Sequence, residues 1–76
     1  MSSRKEAFYD LMSKTLKVDP SVIHDELAIG DIPEWDSLAH MGLIAAFENA
    51  YSVKLDVEQI VDLEEVEDFL ALLEEA

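Results

Sequence analysis

Three residue types that hydrolases combine stand close together near the middle of this 76-residue chain: Asp36, Ser37 and His40. In a hydrolase triad the histidine accepts the proton of the serine, the acid orients the histidine from its far side, and an oxyanion hole faces the substrate. Three residues on one helical turn, with the aspartate at the helix start, do not supply that geometry. We therefore predict no catalytic residue and no enzyme activity, and we expect His40 to lie on the surface.

An acidic stretch over residues 25–36 has the length of a calcium-binding loop, with Gly30 at its sixth position. The third and fifth positions are Leu27 and Ile29, whose side chains cannot bind a hard cation. The two histidines lack the partners of a zinc site, and the chain has no cysteine. The sequence predicts no specific metal site, while weak divalent binding to the acidic surface stays open.

Ser37 suits a covalent modification better than a reaction. Asp36 is a good helix N-cap, because its carboxylate can accept from the backbone N–H of Leu38 or Ala39. A phosphate on the Ser37 oxygen would then be an anion at the N-terminal end of a helix, where free N–H groups and the helix dipole stabilise it. By position alone, Ser37 could equally be an ordinary helix-starting serine.

The elements on the N-terminal side of Ser37 are a helix and a long connection. Apolar residues at helical spacing predict a first helix over residues 4–16, which Pro20 stops. Residues 17–35 have no sustained period but carry several apolar side chains, so we expect a long loop packed across a bundle. Within it we expect a helical turn at residues 21–25 and a turn at residues 30–33.

The second helix starts at Asp36, and its predicted buried stripe is Leu38, Met41, Ile44, Phe47 and Tyr51. Gly42 and three nearby alanines leave part of this helix almost without side-chain bulk. That bare part fits tight packing against a neighbouring helix and close approach by a partner equally well.

Two further helices complete the pattern. Asp56 and Gln59 have the spacing of an N-cap and its third position, which predicts a short helix over residues 56–61, and Asp62 and Glu65 repeat the spacing. The apolar face of the last helix is Val66, Phe69, Leu70 and Leu73. The sequence therefore predicts an all-α fold in one domain, residues 1–76. It is a small four-helix bundle of three longer helices and one short helix, with a long packed loop between the first and second.

The net charge of −13 is unevenly distributed. The first eighteen residues hold four Lys or Arg against two acids, and the remainder holds one lysine against sixteen acids. Such a surface repels nucleic acid and anionic membranes and attracts basic protein surfaces. The apolar runs are far shorter than a membrane span and the first residues lack a signal-peptide core, so we expect a cytoplasmic protein.

The whole pattern resembles the acyl carrier protein family, whose members are small acidic four-helix bundles. The match covers essentially the full length, with Asp36-Ser37-Leu38 opening the second helix and the apolar stripe running into Glu48. The resemblance implies that Ser37 carries a 4′-phosphopantetheine arm, which a phosphopantetheinyl transferase adds from coenzyme A. The thiol of the arm would hold an acyl or aminoacyl group as a thioester. Asp36 would place Ser37, and Leu38 and Met41 would flank the arm.

The resemblance also implies partners, namely the transferase and the enzymes that load the cargo and transfer it to acceptors. We expect a monomer in which Trp35, Met41, Gly42 and Glu48 contribute to partner recognition, with Trp35 packed over the start of the second helix. That helix carries only two acids, Asp36 and Glu48. Their scarcity argues against general fatty-acid synthesis. The Trp-Asp-Ser-Leu motif at residues 35–38 resembles that of discrete carriers in specialised pathways, such as those for secondary metabolites or modified saccharides. The alternative is a noncovalent helical adaptor that binds a partner helix around Gly42.

Overall fold

The computed structural model describes residues 4–75, which form four α-helices: α1 (Arg4–Leu16), α2 (Ser37–Tyr51), α3 (Val57–Val61) and α4 (Val66–Glu75). Within this range the only β-type pairing is an isolated bridge between Ala28 and Glu65. The predicted all-α fold of three longer helices and one short helix is confirmed. None of the described helices has the length and apolar character needed to cross a bilayer.

The first helix has the predicted extent, but its end is set before the proline. Its core side chains repeat at intervals of four: Phe8, Met12 and Leu16. Lys17 then adopts a left-handed conformation with φ 61°, and the N–H of Val18 donates to the Ser13 carbonyl at 3.0 Å. A left-handed residue with such a bond ends a helix by itself. The predicted end at Leu16 is confirmed, and the left-handed Lys17 ends the helix before the proline is reached.

The helical turn in the long connection lies earlier than predicted, at Pro20–Val22 instead of residues 21–25. Asp19 caps it, because its Oδ1 accepts from the N–H of Ser21 at 2.9 Å. Proline suits the first position of a helical turn, where its fixed φ is already helical and its missing N–H is not needed. Because Pro20 is also a helix-stop signal, the sequence pattern alone places the turn after the proline and not on it.

The rest of the connection packs against the start of α4, as the prediction of a packed loop requires. Leu27 is buried, and its carbonyl accepts from the N–H of Val66 at 2.9 Å. The N–H of Ile29 donates to the Glu64 carbonyl, also at 2.9 Å. These two bonds hold the loop and the segment before α4 side by side.

Asp25 joins the same connection to α1. Its carboxylate accepts from Lys5 Nζ at 2.9 Å and from the hydroxyl of Tyr9. Burial and the bond to Asp25 raise the pKa of Tyr9 to about 12. The hydrogen bonds from Tyr9 and Lys5 lower the pKa of Asp25.

An aromatic cluster forms the centre of the core. The ring of Phe8 lies 5.1 Å from that of Phe69 and 5.8 Å from that of Phe47, and the last two are 5.4 Å apart. These rings come from α1, α4 and α2, and all three side chains are buried. Edge-to-face and offset ring contacts add to the burial of apolar area. One cluster therefore ties the three longer helices together.

The buried face of α2 is rotated from the predicted stripe. Leu38 and Met41, which the stripe placed in the core, are 83% and 60% exposed. Ile44 and Phe47 of the predicted stripe are buried as expected, and Tyr51 is half-buried. His40 and Leu43 complete the buried set. The repeat that begins at position 40 starts with a histidine, which is less often buried than leucine, so the apolar pattern alone favours the repeat that begins at position 38.

The short helix α3 starts as predicted, since the N–H of Asp56 donates to Gln59 Oε1 at 2.9 Å. The expected cap at Asp62 and Glu65 is wrong, because α4 begins only at Val66. Its capping acid is Asp68, whose Oδ2 accepts from the N–H of Glu65 at 2.9 Å and of Glu64 at 3.0 Å. The bonds to the long loop keep residues 64 and 65 out of a helix, and α4 begins at Val66.

Candidate functional site

Ser37 is the first residue of α2, and the residue before it caps the helix. Asp36 has an extended backbone, with φ −99° and ψ −174°, and its Oδ1 accepts from the N–H of Ala39 at 2.8 Å. This confirms the predicted N-cap. The Ser37 side chain is exposed, so its hydroxyl lies in solvent at a helix end where N–H groups still lack intrahelical partners.

A tight turn that begins at Gly30 precedes this cap. Gly30 has φ 91°, a conformation that residues with a Cβ rarely adopt. Its N–H donates to the Trp35 carbonyl at 2.8 Å, and the Trp35 N–H donates to the Ile32 carbonyl at 3.1 Å. The predicted turn at residues 30–33 is therefore present, and it fixes where Trp35 enters the core.

Beneath Ser37, Trp35 and His40 form a buried polar pair. The indole Nε1–H of Trp35 donates to Nδ1 of His40 at 3.0 Å, and both side chains are buried. An imidazole whose Nδ1 accepts a hydrogen bond is neutral and carries its proton on Nε2. Burial lowers the pKa of His40, and a hydrogen bond to the Leu63 backbone opposes that change.

The surface position predicted for His40 is wrong. A buried indole N–H requires an acceptor, and His40 supplies it one helical turn after Ser37. The ring also packs edge-on against Phe69, 6.0 Å away. His40 therefore joins the start of α2 to the turn before it, to the Leu63 backbone and to α4. This positioning role was missed, although His40 stands three, four and seven residues before Leu43, Ile44 and Phe47.

The same contacts explain why Asp36, Ser37 and His40 do not form a triad. Asp36 uses its carboxylate on the Ala39 N–H. The ring nitrogens of His40 face Trp35 and the Leu63 backbone. With its histidine committed to the core, the site can present the Ser37 oxygen but cannot activate it from within.

The remaining residues predicted for the site lie at different depths. Leu38, Met41 and Gly42 are exposed on one side of α2 together with Ala45, which was not predicted for the site. We call these four residues the outer face of α2. A Cβ added at Gly42 would meet nothing within 4 Å. Tight packing inside the chain therefore does not explain this glycine, and close approach by a partner stays a prediction.

The side chains of Trp35 and Glu48 are less exposed than those of the outer face. Trp35 is fully buried, which corrects its assignment as a partner contact and agrees with its expected packing over the start of α2. Glu48 is half-buried, and its Oε2 accepts from the N–H of Leu55 at 2.8 Å. It therefore holds the segment that follows α2. Among the described residues, no group of three or more His, Cys, Asp or Glu could hold a metal ion.

No protein-family model and no curated protein sequence matches this chain. Solved structures do match, and one of them is the solution NMR structure of a holo acyl carrier protein from Geobacter metallireducens. The two sequences are 30% identical, and the match covers 93% of this chain and 82% of that chain with a TM-score of 0.82. The similarity thus includes both sequence and fold over nearly the whole length. This chain belongs to the acyl carrier protein family.

Proposed function

We propose that Ser37 carries a 4′-phosphopantetheine arm and that the thiol of this arm holds an acyl or aminoacyl cargo as a thioester. The observation that carries the proposal is the exposed Ser37 hydroxyl at the first turn of a helix capped by Asp36. The helix end favours the phosphate of the arm, since its free N–H groups and dipole stabilise an anion. The chain has no cysteine, so the arm supplies the only thiol.

In this proposal the residues of the chain hold the arm, place Ser37 and expose it to partner enzymes. They make no bond to the cargo. Asp36 fixes the backbone from which Ser37 projects. Leu38 follows Ser37 and is mostly exposed, so it is available to the arm and to any enzyme that reaches it. Every enzyme that acts on the arm must approach Ser37, and it then meets the outer face of α2 within one or two helical turns. Met41 and Gly42 are therefore the partner contacts we propose.

Intact-mass spectrometry tests the attachment. Apo protein, incubated with coenzyme A and a broad-specificity phosphopantetheinyl transferase, should gain the mass of one phosphopantetheinyl group. Ser37→Ala should gain nothing, whereas Ser21→Ala, which removes another exposed hydroxyl, should load like the parent protein. Absence of an adduct on the parent protein, or an adduct that persists in Ser37→Ala, would contradict the proposal.

We further propose that the protein serves a specialised pathway. The support is the outer face of α2, which carries no charged residue between Asp36 and Glu48 and so offers little to the basic surfaces that acidic carriers attract. Holo protein isolated from its host under conditions that preserve thioesters should carry an aminoacyl or modified acyl group. Recovery of unmodified straight-chain fatty acyl groups alone would contradict this. The cytoplasmic location and the monomeric state stay predictions.

A second candidate function, a noncovalent adaptor, rests on the same exposed apolar face. Leu38 and Met41 are exposed beside a glycine whose Cβ position is open, and a partner helix can approach such a face closely. Under this alternative, Ser37→Ala would leave function in the host intact and Gly42→Glu would abolish it. Ala7→Glu, which adds the same charge at an exposed position of α1, is the control. Loss of function in Ser37→Ala favours the covalent carrier.

A further inference from the structure

Trp35 is the main anchor of the segment that leads into Ser37. The structure describes all of residues 30–39, and Trp35 is the only buried side chain among them. Ile32 and Ala39 are half-buried, and the other residues of the segment are exposed. The position of this segment against the bundle therefore depends on whether the indole stays in the core.

The anchoring of Trp35 depends in turn on the protonation state of His40. The indole Nε1–H, the only polar group of the Trp35 side chain, donates to His40 Nδ1 at 3.0 Å, and the two ring centroids are 5.8 Å apart. Nδ1 can accept only while the imidazole is neutral, because an imidazolium carries a proton on both nitrogens. A proton on His40 would therefore set two donors against each other in a buried site, where an unpaired donor is costly.

The surroundings of the His40 ring offer no charge that would balance an imidazolium. Its hydrogen bonds and ring contacts in the described chain involve Trp35, the Leu63 backbone and Phe69. The carboxylates next to these contacts along the chain are either bonded to backbone N–H groups or exposed: Asp36 and Asp68 in the first case, Asp62 and Glu64 in the second. Burial therefore lowers the pKa of His40 from its ordinary value of 6.5.

The helices do not need Trp35 to stay packed. Three phenylalanines from α1, α2 and α4 form the aromatic cluster that joins these helices, and none of them belongs to the segment before Ser37. The segment also keeps its own shape, since the Gly30 N–H donates to the Trp35 carbonyl at 2.8 Å. Residues 30–36 can therefore leave the core as one unit while the three longer helices remain in place.

We propose that Trp35 and His40 form a proton-sensitive latch, which opens when His40 is protonated and releases residues 30–36 from the bundle. Opening separates the two facing donors and exposes the imidazolium to water, so proton uptake favours the open form. It also removes the support behind Ser37 at the start of α2. A mobile Ser37 has to be ordered again when an enzyme binds it, which slows its modification. Only this last consequence rests on the proposed function.

Acrylamide quenching of tryptophan fluorescence measures the opening, because Trp35 is the only tryptophan in the chain. The quenching constant of the apo protein should rise about twofold or more between pH 7.5 and 5.0, as the ring takes up its proton. Far-UV circular dichroism should keep its helical signal over the same interval. A constant quenching would overturn the proposal, and so would a loss of helical signal with the same midpoint as the rise in quenching.

Two histidine variants identify the ring that controls the opening. His40→Gln keeps an acceptor for the indole but takes up no proton, so its quenching constant should stay low at both pH values. His24→Gln removes the other histidine, which is exposed, and should behave like the parent protein. In the parent protein itself, the NMR titration of the His40 ring should have the same midpoint as the rise in quenching. A rise that persists in His40→Gln, or two different midpoints, would overturn the latch.

The loading rate separates the latch from the proposed function. The apo parent protein and His40→Gln are incubated with coenzyme A and a broad-specificity transferase at pH 7.5 and 5.5, and the ratio of the two rates cancels the pH dependence of the transferase. The ratio of parent to variant should fall several-fold at pH 5.5. An unchanged ratio would overturn the control of Ser37 by the latch. Absence of loading at pH 7.5 would contradict the proposed function instead, and the quenching constants would still decide whether the latch opens.

Discussion

His40 shows what a single buried polar residue does for the start of α2. It accepts a hydrogen bond from Trp35, is bonded to the Leu63 backbone, and packs against Phe69. Without it, the indole N–H of Trp35 would be buried and unpaired, which costs about 1–3 kcal/mol. One imidazole thereby connects the helix that presents Ser37 to the turn before it and to α4.

At the scale of single residues, the first prediction concerns the stability of the protein as the pH falls. Burial lowers the pKa of His40 from its ordinary value of 6.5, so the folded protein keeps this ring neutral at a pH where the unfolded chain protonates it. As the pH falls below about 6.5 the unfolded state gains a proton first, and the free energy of unfolding falls by at most about 1.4 kcal/mol per pH unit. Above that pH the contribution of His40 is constant.

Chemical denaturation between pH 7.5 and 5.5 measures this dependence. His40→Gln keeps an acceptor for the Trp35 N–H but has no proton to gain, so its free energy of unfolding should fall less over the same interval. His24 is present in both proteins, so any contribution it makes cancels in the comparison. Parallel curves for the two proteins would show that His40 does not cause the loss.

At the scale of the helices, the prediction concerns the substitution of Gly42 in α2. It lies within α2, and an added Cβ would contact nothing within 4 Å, so Gly42→Ala gains helix propensity without a clash. The expected gain in stability is about 1 kcal/mol, measured by urea denaturation. If a partner approaches this position closely, the same variant should weaken partner binding. A destabilised variant would contradict the open space around Gly42.

Local signals made some elements predictable from the sequence. The caps at Asp36 and Asp56 depend on residues two or three positions away, and both are present in the structure. The start of α4 was misplaced because it depends on bonds to the distant loop residues Leu27 and Ile29. A cap pattern near Asp62 is a local signal, and a long-range pairing overrides it.

The prediction of the buried face of α2 was partly wrong for a different reason. The predicted and the observed stripe share Ile44 and Phe47. They differ in the first half of the helix, where His40 and Leu43 are buried instead of Leu38 and Met41. The acceptor that Trp35 requires decides between them, and that requirement appears only once the tryptophan is known to be buried. The location of Ser37 at the helix start was predictable because the Asp36 cap defines it. The hydrogen bond between Trp35 and His40 was not predictable.

The whole molecule is held by a neutral aromatic core and covered by an excess of acids. Two ion pairs, Lys5–Asp25 and Lys14–Asp10, occur in the described part of the chain, and exposed pairs of this kind contribute little. Repulsion among the other acids therefore lowers stability, and salt screens it. The concentration of acids after residue 18 was evident from the sequence.

We expect the melting temperature to rise by several degrees between 10 and 200 mM NaCl. Magnesium chloride at equal ionic strength should raise it further if divalent ions bind the acidic surface, since binding to the folded state adds stability. Differential scanning calorimetry at fixed pH provides both values. A melting temperature that does not respond to either salt would mean that the fold already compensates the acidic charge.

The two anchors of α2 have a consequence for how such a carrier can evolve. His40 fixes one end of the helix and Glu48 fixes the segment after the other, and neither belongs to the outer face. Substitutions at the exposed residues Leu38, Met41 and Ala45 should therefore change the surface of α2 while the bundle keeps its stability. If the outer face of α2 is the partner contact proposed above, point mutations on this one helix face would change which enzymes the carrier meets, and protein engineers could graft the face from one carrier to another.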